Sequence, residues 1–135
     1  MRNKEGGAGS IFNILLILGM FAIILIVVAA AYVGAKEGAR DSQRAVDIDR
    51  ITQALKNYQT DNNRFPDAAQ NQPVGLNQYL DRWPAAPEPA DGSCAKEQNR
   101  YSYQTFNGGS SYILSFCLGS KTGRYGSGPQ TIKVP

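Results

Sequence analysis

Histidine is absent from this chain of 135 residues. Because histidine is the side chain that most often acts as general base and as metal ligand, its absence argues against catalysis. The sequence also contains no Gly-x-Ser-x-Gly, P-loop or His-Glu-x-x-His motif. Asp47 and Asp49 are close in sequence, but side chains two residues apart on a helix point in different directions. We therefore expect a protein that is not an enzyme, with no catalytic residues, no metal site and no cofactor.

Lys, Arg, Asp and Glu are all absent from Gly6 to Ala35. Within that stretch, residues 11–33 are apolar except for Asn13 and Gly19. A helix of this length spans about 34 Å and can cross a hydrocarbon core of about 30 Å. A signal peptide cleaved after "YVGA" is the alternative, but the apolar part of a signal peptide is normally only about 7–15 residues long. The sequence therefore favours a retained membrane helix over residues 10–35.

Cysteine is scarce: the chain has two, Cys94 and Cys117, and neither lies in a Cys-x-x-Cys motif. Basic residues flank the apolar segment on both sides, so the positive-inside rule does not fix its orientation. A cysteine pair in a small domain outside the membrane reads most simply as one disulfide, which needs an oxidising compartment. Two buried free thiols are the alternative. The disulfide interpretation places the C-terminal domain outside the cytoplasm.

Proline is missing from residues 36–61, and the helical pattern continues through them. Ile48, Ile51, Leu55 and Tyr58 recur at helical spacing and form one apolar stripe. This pattern predicts an amphipathic continuation of the helix over 36–61. The sequence "DNNRFP" at 61–66 should end it, because asparagine favours turns and proline disfavours helix in the residue before it.

The remaining residues, 62–135, predict a small sheet domain. "QNQPVG" and "WPAAPEPADGS" have loop composition, and residues 76–80 can form a single helical turn. Residues 100–106 and 111–118 flank "NGGS" and predict a β-hairpin, followed by a last strand at 130–134. A segment of this length cannot bury much hydrophobic core by itself. We therefore expect one face of the sheet to pack on the amphipathic helix. The predicted fold class is α+β, with a long N-terminal helix packed against a small antiparallel sheet.

This organisation resembles that of type IV pilins and of the related pseudopilins of type II secretion. The stretch "ALKNYQTDNNRFP" (54–66) is similar to the end of the family's long helix, and "SYILSFCLGSKTG" (111–123) is similar to a sheet strand and its following loop. The resemblance implies a single-pass precursor in the inner membrane with its C-terminal domain outside. It also implies cleavage by a prepilin peptidase, an assembly platform, and a helical homo-oligomer that forms an extracellular filament. Adhesion, surface motility and DNA uptake are all roles within the family.

The N-terminus departs from the family pattern, in which a short basic leader ends in Gly and the mature chain has Glu as its fifth residue. Residues 1–9 form a short basic leader here, and Gly7, Ala8 and Gly9 are candidate processing positions. If Gly9 is the mature N-terminus, Asn13 occupies the fifth position. Asn13 is then a neutral substitute for the carboxylate that pairs with a neighbouring subunit's amine. The alternative is that Asn13 lies at the headgroup level and bonds water or backbone.

Two further features have a functional and an ordinary interpretation. Gly34 and Gly38 are spaced as in Gly-x-x-x-Gly and are candidates for close helix packing in assembly, or for a flexible point. Basic and tyrosine side chains alternate near the C-terminus and could bind nucleic acid or a surface; these are Arg100, Tyr101, Tyr103, Lys121, Arg124, Tyr125 and Lys133. Ordinary solvated basic side chains are the favoured interpretation.

The loop before the last strand bears on which branch of the family the chain resembles. Some pseudopilins bind calcium with acidic residues of this loop, whereas "GSKTGRYGSGPQ" contains none. The sequence therefore favours a pilin over the major pseudopilin and gives no reason to transfer the calcium site. The alternatives are a type II secretion pseudopilin, and a single-pass membrane protein that displays a small binding domain without polymerising.

Overall fold

The computed structural model describes residues 7–135. The predicted leader comprises residues 1–9. Residues 1–6 of it lie outside the described part of the chain, and for Gly7 and Ala8 only the helical backbone is described. The chain divides into a first compact unit that ends at Lys36 and a second that spans Glu37–Pro135. The helix and strands are α1 (Gly7–Asn62), β1 (Ala68–Ala69), β2 (Gln72–Pro73), β3 (Ser102–Phe106), β4 (Ser111–Leu118) and β5 (Gly128–Val134).

Helix α1 contains 56 residues and runs without interruption through Gly19, Gly34 and Gly38. No proline occurs within it, so no backbone amide is removed from its hydrogen-bond ladder. Its most apolar stretch reaches a mean hydropathy of 3.2, and its length and composition are sufficient to cross a membrane. The predicted end of the helix is confirmed: α1 stops at Asn62, and Asn63 takes a left-handed φ of 55°.

The core of the second unit lies between one face of α1 and the sheet. Ile48, Ile51 and Leu55 are fully buried, as the predicted stripe requires. From the sheet, Tyr103 and Leu114 are equally inaccessible to solvent. The alternation of buried and less buried residues along β4 shows that one face of this strand carries most of the contact.

The main sheet is antiparallel, with the strand order β3-β4-β5. The predicted hairpin is confirmed, and its turn places Asn107 and Gly108 at φ values of 53° and 66°. Asparagine followed by glycine suits such left-handed positions because neither residue is strongly penalised there. Strand β5 begins at Gly128, two residues before the predicted start at Gln130.

The prediction of a loop at "QNQPVG" is wrong in part. Strands β1 and β2 pair there in a second, two-stranded sheet, with Gln70 and Asn71 at positive φ in the turn. The Tyr103 N–H donates to the Asn71 carbonyl at 2.9 Å, so β3 holds this turn in place. The helical turn predicted over 76–80 is present as a 3-10 turn at Leu76–Gln78. The α+β fold class is confirmed, with two small antiparallel sheets.

Candidate functional sites

The first unit presents an apolar surface with no partner within the described chain. From Ile11 to Val33, every large apolar side chain is between 52% and 68% exposed. We call residues 11–33 the apolar segment. A helix that is apolar on all sides is normally buried in a membrane or among other helices, and soluble monomers rarely expose apolar patches of this size. This surface therefore requires lipid or other copies of an apolar helix.

The residues that the sequence nominated for processing and assembly all lie in α1. Gly7, Ala8 and Gly9 are its first residues, and Asn13 is exposed at the start of the apolar segment. At both Gly34 and Gly38, an added Cβ atom would meet nothing within 4 Å. Within one chain these glycines are not needed for packing, so their use in assembly stays a prediction.

A buried ionic cluster lies at the start of the second unit. The Arg44 side chain is 1% exposed, and its guanidinium donates to carboxylate oxygens of Asp41 and Asp91, each at 2.8 Å. It also donates to the carbonyl oxygens of Pro87 at 2.6 Å and Pro89 at 2.8 Å. One helical side chain therefore binds two distant loop carbonyls and two carboxylates. We call Arg40, Asp41, Arg44 and Asp91 the ionic clamp.

Asp41 connects the clamp to the loop after β4. Its carboxylate accepts hydrogen bonds from the Gly119 N–H at 2.9 Å and from the N–H and hydroxyl of Ser120, both at 2.8 Å. Burial by itself would raise the pKa of Asp41, but the hydrogen bonds from Gly119, Ser120 and Arg44 outweigh it. The pKa of Asp41 is therefore below its ordinary value, and the carboxylate stays ionised.

Asp91 is held in the same way from the other side of the clamp. The Arg40 Nε–H donates to Asp91 at 2.8 Å, and this pairing is the main reason that the pKa of Asp91 is lowered. Burial acts against the shift, and Arg44 reinforces it. Two arginines and two aspartates balance in charge, as a buried ionic group requires.

The same region is tied by a covalent bond and by close backbone packing. Cys94 and Cys117 form a disulfide with their Cα atoms 5.8 Å apart. A Cβ atom added at Gly92 would overlap the backbone of Gly119, so glycine is required at this contact. The loop that follows Trp83 is thus fixed by the clamp, the disulfide and this contact together.

The sequence identified the cysteines but missed the clamp. Asp41 and Arg44 stand three residues apart, which is a common surface pairing on helices. Their partner Asp91 lies 47 residues beyond Arg44 in a loop. The local sequence around a buried arginine in the polar part of an amphipathic helix is the same as that around an exposed arginine, so burial of Arg44 could not be predicted.

Two tyrosines of the basic and tyrosine-rich stretch lie in the core of the second unit. Tyr101 and Tyr103 are 4% and 0% exposed and point into the core. Their hydroxyls donate to Asp47 at 3.1 Å and to the Pro66 carbonyl at 2.7 Å. Burial is the main reason that the pKa of each lies well above its ordinary value. Aromatic rings in the core cannot stack on bases, so the positions of these two tyrosines do not support nucleic-acid binding by this stretch.

The last tyrosine of that set is also engaged within the chain. Tyr125 is 9% exposed, and its hydroxyl donates to Asp49 at 2.8 Å. Arg124 pairs with the same carboxylate at 2.6 Å. Within residues 7–135 there is no group of three or more His, Cys, Asp or Glu side chains suited to hold a metal ion.

Comparison with known proteins gives one informative similarity. The chain is similar to the type II secretion system core protein G of Aeromonas hydrophila, with 32% identity over 90 residues. These residues make up 66% of this chain, and the match spans 59% of the relative's length. No protein-family model matches the chain, and no solved structure is significantly similar to it. The similarity supports the pilin-like interpretation in its broad form.

Proposed function

We propose that this protein is a structural, non-enzymatic subunit of a pilus-like filament of the type II secretion kind, that is, a pseudopilin. The observation that carries the proposal is the apolar segment, whose large side chains are all at least 52% exposed. The similarity to a type II secretion core protein supports the secretion branch of the class. Residues 62–135 would then form the outer domain of each subunit.

The apolar segment suits two successive environments. In the precursor it would lie in the membrane, where an uncharged helix of this length is stable. In the filament, copies of the same helix would replace lipid with apolar contacts that are chemically similar. Asn13 is the exposed polar side chain within this surface, and in a helix bundle it would need a hydrogen-bond partner from a neighbour.

A pilin is the second candidate, and a specific observation favours it. The loop between β4 and β5 contains no acidic residue, so it lacks the ligands of the calcium site found in some pseudopilins. In this chain the ionic clamp fixes the beginning of that loop through Asp41. The ionic clamp would thus order this loop without a metal ion.

The experiment that tests the proposal is mass spectrometry of the N-terminus, performed separately on membrane and sheared-fibre fractions of the native host. We expect the chain in both fractions, with the leader removed in the fibre fraction. Deleting the host's type II secretion genes should remove the fibre-fraction signal, whereas deleting its pilus genes should not. The reverse dependence would support the pilin candidate. Recovery only from the membrane, uncleaved, would contradict both and favour a protein that does not polymerise.

A further inference from the structure

A cavity of about 410 Å³ in the second unit has no role in the proposed function. Its lining includes Trp83, the turn between β1 and β2, Asn99, and a pair of opposite charges, Glu88 and Arg100. We call it the Trp83 cavity. Its volume lies within the range of about 300–1,000 Å³ that is typical of small-molecule sites.

The aromatic wall of this cavity offers apolar surface. Trp83 is half-buried, and its indole N–H donates to the Tyr101 carbonyl at 3.1 Å. Its ring packs edge-on against Tyr103, with the ring centroids 6.4 Å apart. Because the polar atom of the indole is already bonded, the remaining exposed ring can contact a ligand through its carbon surface.

Another part of the lining, which we call the polar wall, is held in place by the backbone. Residues 70–72 supply three consecutive amide side chains, and β3 fixes their turn through the hydrogen bond from the Tyr103 N–H to the Asn71 carbonyl. The structure gives these three amides, Glu88 and Arg100 no side-chain hydrogen bond to any residue it describes. Amides both donate and accept hydrogen bonds, and the two opposite charges cancel. The wall therefore suits a neutral ligand with several hydroxyl groups.

Asn99 also lines the cavity. Its Nδ2 donates to the Pro87 carbonyl at 3.0 Å, which sets the orientation of the amide. Its Oδ1 is buried and has no partner among the residues described by the structure. Because this oxygen is inaccessible to solvent, it is not available to a ligand in the cavity, and a buried water molecule is the kind of partner that such an atom ordinarily has.

We propose that the Trp83 cavity binds a neutral saccharide unit. A sugar ring combines an apolar face, which fits the exposed carbon surface of Trp83, with hydroxyl groups that match the amides, Glu88 and Arg100. A charged ligand is disfavoured because the lining carries no net charge. The inference is independent of filament formation, since every residue involved lies in one copy of the second unit.

Trp83 provides a direct signal, because it is the one tryptophan of the chain. The full chain is purified in a detergent without a sugar headgroup, since a maltoside would compete for the site. Cellobiose, maltose and chitobiose are each titrated while tryptophan emission is recorded, and heats of binding are measured in parallel. We expect a saturable change with at least one disaccharide. Gln72→Ala and Arg100→Ala should each weaken that binding by about tenfold.

Gln104→Ala is the matched control, because Gln104 is an exposed amide on β3 that does not line the cavity. Its affinity should equal that of the unmodified chain. An unchanged thermal midpoint shows that the fold of a variant is intact. If one of the two cavity variants unfolds, the other still tests the proposal. The absence of saturable binding by all three disaccharides would overturn the proposal. Equal binding by all variants would overturn it too.

Discussion

The two parts of α1 use the same kind of side chain in opposite ways. Ile24 in the apolar segment is 53% exposed, whereas Ile51 in the second unit is fully buried. Ile51 finds its partners in the same chain, on the sheet that follows it. No described part of the chain covers Ile24. The apolar side chains in one part of α1 are thus buried when the chain folds. Those in the other part can be buried only by lipid or by other molecules.

A second difference concerns polar groups. The apolar segment contains one amide, Asn13, and no charged side chain. The second unit instead buries charges, and Arg44 at 1% exposure is paired with two carboxylates. Charges can be buried there because each finds hydrogen-bond partners within the chain. The comparison between the two parts leads to five predictions, from the largest expected effect to the smallest.

The largest effect should follow from placing a charge in the apolar segment. Ile24→Lys adds an ammonium that filament packing would have to bury without a partner. We expect the sheared-fibre fraction to fall by tenfold or more while the protein stays in the membrane. Val46→Lys is the matched control, because Val46 is 45% exposed on the second part of the same helix. Similar fibre yields from the two variants would remove the proposed difference between the parts.

Breaking the ionic clamp should destabilise the second unit severely. Arg44→Met removes from the buried Asp41 and Asp91 the one guanidinium that both carboxylates share, which should cost about 3–5 kcal/mol. The exposed pair of Arg124 and Asp49, at 69% and 58% exposure, is the control. Arg124→Met should cost less than about 1 kcal/mol. Urea unfolding followed by Trp83 emission measures both, and equal losses would show that burial does not strengthen the clamp.

The disulfide should contribute somewhat less. Cys94 and Cys117 are 23 residues apart, for which the chain-entropy model gives about 3 kcal/mol. The variant with both cysteines replaced by alanine should lose roughly that free energy of unfolding. Thiol labelling of the denatured, unreduced protein should find no free thiol. Two free thiols would contradict the bridge and remove the argument that the second unit lies in an oxidising compartment.

Acid should weaken the clamp in a defined direction. Asp41 and Asp91 have lowered pKa values in the folded protein, and their unfolded values are about 3.9. Their stabilising contribution is therefore complete above that value and is lost as the pH falls through the folded pKa values. We expect the free energy of unfolding to decrease below about pH 4. The decrease should be shallower for Asp41→Asn, and identical slopes would exclude Asp41 as a source.

The smallest effect is expected at Asn13. In a dry helix bundle, Asn13→Leu should reduce fibre yield without affecting membrane insertion, because an unsatisfied neighbouring group costs roughly 1–3 kcal/mol. Asn13→Glu should be tolerated if the leader is removed, since a free amine could pair with the carboxylate, and should hinder assembly if it is not. Fibre yield measured for all three forms decides the matter. Equal yields would show that Asn13 lies at the headgroup level of the membrane and has no role in assembly.

Local patterns in the sequence determined much of this molecule. The charge-free run, the stripe from Ile48 to Tyr58 and the turn at Asn107 and Gly108 each act over a few residues, because helical spacing and turn geometry are local properties. The α+β fold, the end of α1 at Asn62 and the hairpin therefore followed from the sequence. The choice of which basic and aromatic residues face solvent did not.

The tertiary structure alone decided the clamp and the direction of the tyrosines. Arg44 reaches Asp91 across 47 residues, and Ser120 reaches Asp41 across 79. Tyr101 and Tyr103 turn inward because α1 offers Asp47 and the start of the sheet domain offers the Pro66 carbonyl. The same side chains would be solvated if those acceptors lay elsewhere. Burial of a polar side chain depends on partners that come together only when the chain has folded, and spacing along the sequence does not encode them.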